Sequence, residues 1–115
     1  GKDEAKLKQL AEIEIGQMEL FNELLQDLKN VEEAEGTLLD HTMVLYGCHM
    51  GDANIHNNKN LPVIFAGGGF KHGQHLAFNE ENNTPLANLY VSMLENMGLE
   101  KSKFASSTGT LTGLS

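Results

Sequence analysis

With a single cysteine, Cys48, this chain can form no internal disulfide, and cysteine usage leaves its redox compartment open. Only two prolines interrupt it, Pro62 and Pro85, so the whole of Asp3–Glu33 is free of the residue that most strongly breaks a helix. Cations are scarce. Eight Lys and Arg stand against sixteen Asp and Glu, giving a net charge of −8 and a pI near 4.9. That balance excludes nonspecific binding to nucleic acid or to an anionic membrane, because both need clustered positive charge. No apolar run approaches the roughly 18 residues of a membrane span, so no membrane insertion is expected. No basic-then-apolar leader is present either. The familiar catalytic signatures are missing as well: there is no HExxH, no CxxC pair and no phosphate loop ending in Gly-Lys-Ser/Thr.

What the chain does have is unevenly distributed. Gly1–Gly36 holds ten acids against four lysines, net −6, while Thr37–Ser115 holds six against four, net −2. The length of 115 residues allows one domain with one modest core. Gly1, where an initiator methionine would stand, predicts a piece of a longer polypeptide: one C-terminal fragment of a larger domain. It divides into a helix over 1–36, strands and a polar loop over 37–83, a second helix over 84–98 and a tail over 99–115.

Asp3 to about Glu33 is rich in Ala, Leu, Glu, Lys, Gln and Met, all good helix formers. Met18, Phe21, Leu25 and Leu28 recur at intervals of three and four, and Leu7 and Ala11 extend the stripe upstream, so one face should cover a sheet or a partner helix. Gly36 is the expected stop. Met43–Tyr46 and Leu61–Ala66 are short apolar runs bounded by Gly and Asn and predict buried strands. We expect them to be parallel neighbours, the alternative being a long-looped hairpin. Phe70–Phe78 predicts an edge strand or hairpin. Thr84 as cap, Pro85 at the first turn and Gly98 beyond the end frame a second helix, with Leu86, Leu89, Tyr90, Met93, Leu94 and Met97 as its apolar face. The tail is expected to be extended, and ordered only if it packs against something. The fold class is thus α/β: a long N-terminal helix, a small parallel sheet of two or three strands, a second amphipathic helix and a tail, as part of a larger three-layer domain. So few strands leave open edges and bare helix faces, which predicts self-association into a dimer or larger.

All five histidines, His41, His49, His56, His72 and His75, fall within 35 residues together with Asp40 and Asp52. Imidazole and carboxylate are ordinary ligands of zinc or manganese. His49, Asp52 and His56 would converge only if the loop between the strands folded back on itself. Histidines hydrogen-bonded within a rigid polar loop are the favoured alternative. Gly67-Gly68-Gly69 lacks the Lys-Ser/Thr of a phosphate cradle and fits a sharp turn or close packing better. Cys48 and His49 are neighbours on an extended chain and face opposite ways, so a thiolate activated by histidine is disfavoured and a buried structural cysteine is expected.

The runs GTLLDHTMVLYG, MGDANIHNNKNLPVIFAGGGFKHGQHLAF, NLYVSMLENMG and FASSTGTLTG resemble the C-terminal part of the bacterial family known as domain of unknown function 1552. The resemblance runs, in order, from about the middle of the first helix to the end of the chain. It implies a longer, exported parent, periplasmic or at the cell surface. More distantly, the order of strand, His/Asp loop, Leu-Pro strand, glycine turn and helix is similar to the C-terminal half of alkaline phosphatase and sulfatase folds. That similarity implies a metal-dependent hydrolase, with Asp52, His56 and His49 as divalent-metal ligands and His72 or His75 as the downstream one. The matching region, His49–His56, lacks the adjacent Asp-His pair of those enzymes. Their nucleophile and remaining ligands come from an N-terminal half, so this fragment alone is expected to be inactive. The alternative is a non-catalytic structural or binding module whose His/Asn loop is a hydrogen-bonded scaffold.

Overall fold

The computed structural model describes residues 3–100 and 102–114. Helix α1 spans Glu4–Asn30. Its first turn is capped by the Asp3 carboxylate, which accepts from the Ala5 and Lys6 amides at 3.0 and 3.2 Å, satisfying two donors that a helix start leaves free. The helix stops at Asn30, three residues short of the predicted end. Glu32, Glu33 and Glu35 at the negative end of the helix dipole oppose further turns. Val31, β-branched and extended (φ −86°, ψ 111°), takes the chain out of the helix instead. Gly36 (φ +101°) lies in a tight hairpin between β1 (Glu32–Glu33) and β2 (Gly36–Thr37) and is not a helix stop.

Strands β3 (Met43–Gly47) and β4 (Val63–Gly67) form a second two-stranded sheet, with Leu45 opposite Phe65. The pair is antiparallel, which corrects the expected parallel arrangement. A parallel pair needs a crossover, usually a helix, to carry the chain back to the starting edge. The connection 48–62 contains none and simply doubles back. Phe70–Phe78, expected as an edge strand or hairpin, joins no ladder.

On the predicted stripe of α1, Met18, Phe21, Leu25 and Leu28 are half-buried. Phe21 meets Tyr46 of β3 with ring centroids 5.1 Å apart, and the Tyr46 hydroxyl donates to Gln17 Oε1 at 3.1 Å. Upstream the stripe runs on without cover, and α1 buries no side chain completely. The radius of gyration is 16.6 Å, against about 13 Å for a compact domain of this length. The protein is therefore elongated.

The packed core lies at the other end. Helix α2 spans Ala87–Asn96, beginning two residues after Pro85 with no side-chain cap, so Thr84 does not serve as one. Its end is as expected: Gly98 (φ +79°) donates to the Glu95 carbonyl at 2.9 Å and Leu99 to that of Leu94 at 3.0 Å, the paired bonds of a Schellman motif. The fully buried face is Ala87, Asn88, Leu89, Val91 and Ser92. The expected apolar face is only partly used, and Met97 remains 65% exposed. Against the buried face lies the tail, with Ser107 and Leu114 buried and Phe104 edge-on to Tyr90 at 6.0 Å.

A junction at Gly67-Gly68 joins these parts. The Leu39 carbonyl accepts from both the Thr42 and Gly68 amides, and Leu39 itself donates to Leu28 at the end of α1. His72 Nε2 donates to the Gly67 carbonyl at 2.7 Å, and the Asn96 amide to the Gly68 carbonyl at 3.1 Å. Helix α1, the 38–42 turn, β4 and α2 are thus tied through the backbone groups of Leu39, Gly67 and Gly68.

Candidate functional site

The loop expected to hold the site leaves β3 at Cys48, which is exposed and not buried as expected, and whose sulfur accepts from the Met50 amide at 3.5 Å. It then closes on itself. Asn57 donates to the Asp52 carbonyl at 2.9 Å, and Gly51 and Asp52 donate to the Asn57 carbonyl at 2.8 and 3.3 Å. The result is a small hairpin with a bridge between Asp52 and Asn57. His56 sits at its corner in the left-handed region, φ +52°. Asp52 Oδ1 accepts from the Asn54 amide at 2.9 Å, and Asn57 Oδ1 from the Lys59 amide at 3.0 Å. Both are local turns that side-chain oxygens of Asp and Asn make readily.

The fold-back that three ligands required does take place, but it does not gather them. One Asp52 oxygen holds its own turn, His49, Asp52 and His56 are all exposed, and no group of three His, Cys, Asp or Glu side chains converges among the described residues. A divalent metal therefore does not fit these residues by themselves. The two imidazoles form no hydrogen bond with the described residues, so the hydrogen-bonded scaffold consists of Asp and Asn. The other histidines are separate. His72 is held against the Gly67 carbonyl and the Phe65 and Phe70 rings. His41 Nε2 donates to the Glu35 carbonyl at 2.8 Å and lies 3.8 Å from the Glu33 carboxylate. Clustering along the chain did not become clustering in space.

One carboxylate is electrostatically distinct. Asp40 Oδ2 accepts from the Thr37 amide and the Thr37 hydroxyl, both at 2.8 Å. These bonds favour the ionised form, with His41 and Lys29 adding to them, and lower its pKa from the ordinary 3.8. A group with a depressed folded pKa stabilises the fold above its unfolded value, and that support is lost as pH falls through the folded one. The Thr37 amide resonance should therefore move with a midpoint below the ordinary 3.8 as the β1–β2 hairpin loosens. Asp40→Asn should abolish that acid step in an NMR titration.

The structure brings together a second set of groups that sequence reasoning missed. A cleft of about 850 Å³ opens between the start of β4, the 71–81 segment, α2 and the tail. Val63, Phe65, Leu89 and Leu111 line it, with Lys59, Lys71, Glu80 and Glu81 also on its walls. Its tail wall is fixed by polar residues of α2. Asn88 Nδ2 donates to Thr108 Oγ1 and the Thr110 carbonyl, and Asn88 Oδ1 accepts from the Thr108 amide. Ser92 Oγ accepts from the Leu111 amide at 2.9 Å, and the Gln74 amide donates to the Gly113 carbonyl. The available signal was Asn88 and Ser92 at i and i+4, two polar residues on the face of α2 that also carries Leu89 and Val91. No match to this chain was found among protein-family models, curated proteins or solved structures, so the cleft and the loop have to be interpreted on their own chemistry.

Proposed function

We propose that this chain is a non-catalytic structural and binding module, one part of a larger α/β assembly, which associates with further copies through the uncovered side of α1. The observation that carries this reading is the width of the helix's apolar arc. At 100° per residue, Ile13, Leu20 and Leu24 share a face adjoining the stripe that meets Tyr46. All three are exposed, Leu20 by 67%. Leu7 and Leu10 continue the docked stripe beyond the sheet and are about half exposed. A helix with so broad an apolar arc suits burial on two sides, and only one side is covered here. Contiguous apolar surface of this kind marks an interaction face. Light scattering on a sizing column should give a dimer or larger species at high concentration, and Leu20→Glu should return it to monomer without loss of helicity. A wild-type chain that stays monomeric at high concentration removes the reading.

A second reading rests on the family resemblance and on one observation: the His49 and His56 imidazoles are exposed and unbonded among the described residues. In this reading the 49–56 loop is half of a site in an exported hydrolase of the phosphatase or sulfatase kind. The remaining groups would come from outside this chain, and the chain alone would be inactive. Metal analysis of untagged protein checks it. Zinc or manganese that persists in the full-length parent and is lost in His56→Ala supports it, whereas a metal-free parent that leaves aryl phosphate and sulfate esters intact sinks it.

A further inference from the structure

An extended chain with unbonded amides is an incomplete sheet. After a bend at Gly73 (φ +76°), residues 74–79 run on without a turn, and 74–78 line the cleft opposite the start of β4. Among the described residues, none of their backbone N–H or carbonyl groups enters a hydrogen bond. Yet the segment has the face alternation of a strand: Leu76 and Phe78 are half-buried, while His75, Ala77 and Asn79 are exposed. Across the cleft, β4 pairs among the described residues with β3 alone, and its other edge joins no ladder there. The cleft floor is apolar, formed by Phe65, Leu89 and Leu111, and its walls carry two lysines and two glutamates whose charges cancel.

From these features we propose that the cleft receives an extended peptide segment of another polypeptide, added as a strand between β4 and residues 74–79, with alternate apolar side chains directed at the floor. A compact apolar ligand would cover the floor but leave both rows of amides to water. An inserted strand serves floor and amides together, the mode by which sheet edges capture peptides. A polyanion is disfavoured by the neutral wall. The inference goes beyond the association of copies through α1, which uses a different surface.

The test uses the full chain carrying Leu20→Glu, so that α1-mediated association and peptide capture are read separately. The probe is a short blocked peptide alternating valine and threonine, measured by calorimetric titration and by amide exchange. Binding is expected, with slowed exchange at residues 74–79. Methylating alternate peptide nitrogens, which removes donors and leaves side chains intact, should weaken binding about tenfold or more. Three results would each overturn the proposal: no binding, equal binding of the methylated peptide, or protection that falls outside the cleft walls.

Discussion

Gly67→Ala should lower the urea unfolding midpoint further than any other single methyl group added here. Two effects combine. Gly67 has φ +74°, a left-handed conformation that costs an L-residue about 1–2 kcal/mol. The added methyl would also be driven into the carbonyl oxygens of Thr42 and Leu39. Both are backbone atoms, and both are already committed: Leu39 accepts from Thr42 and Gly68, and Thr42 leads directly into β3. Neither can move without opening the β3–β4 ladder at its Met43–Gly67 end. A loss of about 3 kcal/mol or more follows, a large share of the stability typical of a single domain.

Its neighbours supply the control. At Gly68 the added methyl would meet the Met43 side chain, which can turn aside in part. At Gly69 (φ +73°) it would find only the Asp40 carbonyl, at 3.9 Å. Alanine at 67, 68 and 69 should therefore destabilise in that descending order, with Gly69→Ala costing only the roughly 1–2 kcal/mol of the backbone conformation. Urea unfolding of the three variants measures the order. Equal losses would show that the left-handed conformation alone sets the cost and that the close approach at Gly67 contributes nothing.

The glycine run also shows what the sequence made legible and what it hid. Three consecutive glycines with no following Lys-Ser/Thr pointed to architecture, and the backbone confirms a close approach. The stripe Met18–Phe21–Leu25–Leu28 and the Gly98 terminus were readable for a similar reason: helical periodicity and a left-handed stop are local properties. Strand direction was not readable. Whether β3 and β4 run parallel or antiparallel depends on the path of residues 48–62, and that path is set by side-chain oxygens of Asp52 and Asn57 bonding to nearby amides. These bonds also account for the site. Asp52 was marked for its carboxylate chemistry, but one of its oxygens bonds its own turn, and His49 and His56 are left exposed. Of the cleft, the sequence carried only the polar pair Asn88 and Ser92 on α2. Its lining runs from residue 58 to 89 and is completed by Leu111 and Leu114, which the ordered tail brings back against it.

That ordering depends on Asn88 more than on any other side chain, and Asn88→Ala should release the tail while leaving α2 helical. Asn88 is only 5% exposed, and it makes three bonds to the tail: one accepted from the Thr108 amide at 2.9 Å, and two donated, to Thr108 Oγ1 and the Thr110 carbonyl, at 3.2 and 3.4 Å. At about 1 kcal/mol net for the short bond and less for the longer pair, the loss is about 2 kcal/mol, since the freed Thr108 amide must find water. Ser92→Ala removes one tail bond, from the Leu111 amide, and should cost about half as much. The two effects should not simply add, because both residues hold the same segment. Limited proteolysis separates tail release from global unfolding. In Asn88→Ala, cleavage should concentrate between Lys103 and Leu111 while the far-UV helical signal is retained. Once the tail leaves, Leu111 and Leu114 leave the cleft with it, and any ligand the cleft takes must lose affinity in the same variant. A tail that stays resistant to protease in Asn88→Ala would shift the anchoring to the Gln74 and Lys71 bonds at Gly113 and Leu114, and the cleft would then be held open from its 71–74 side.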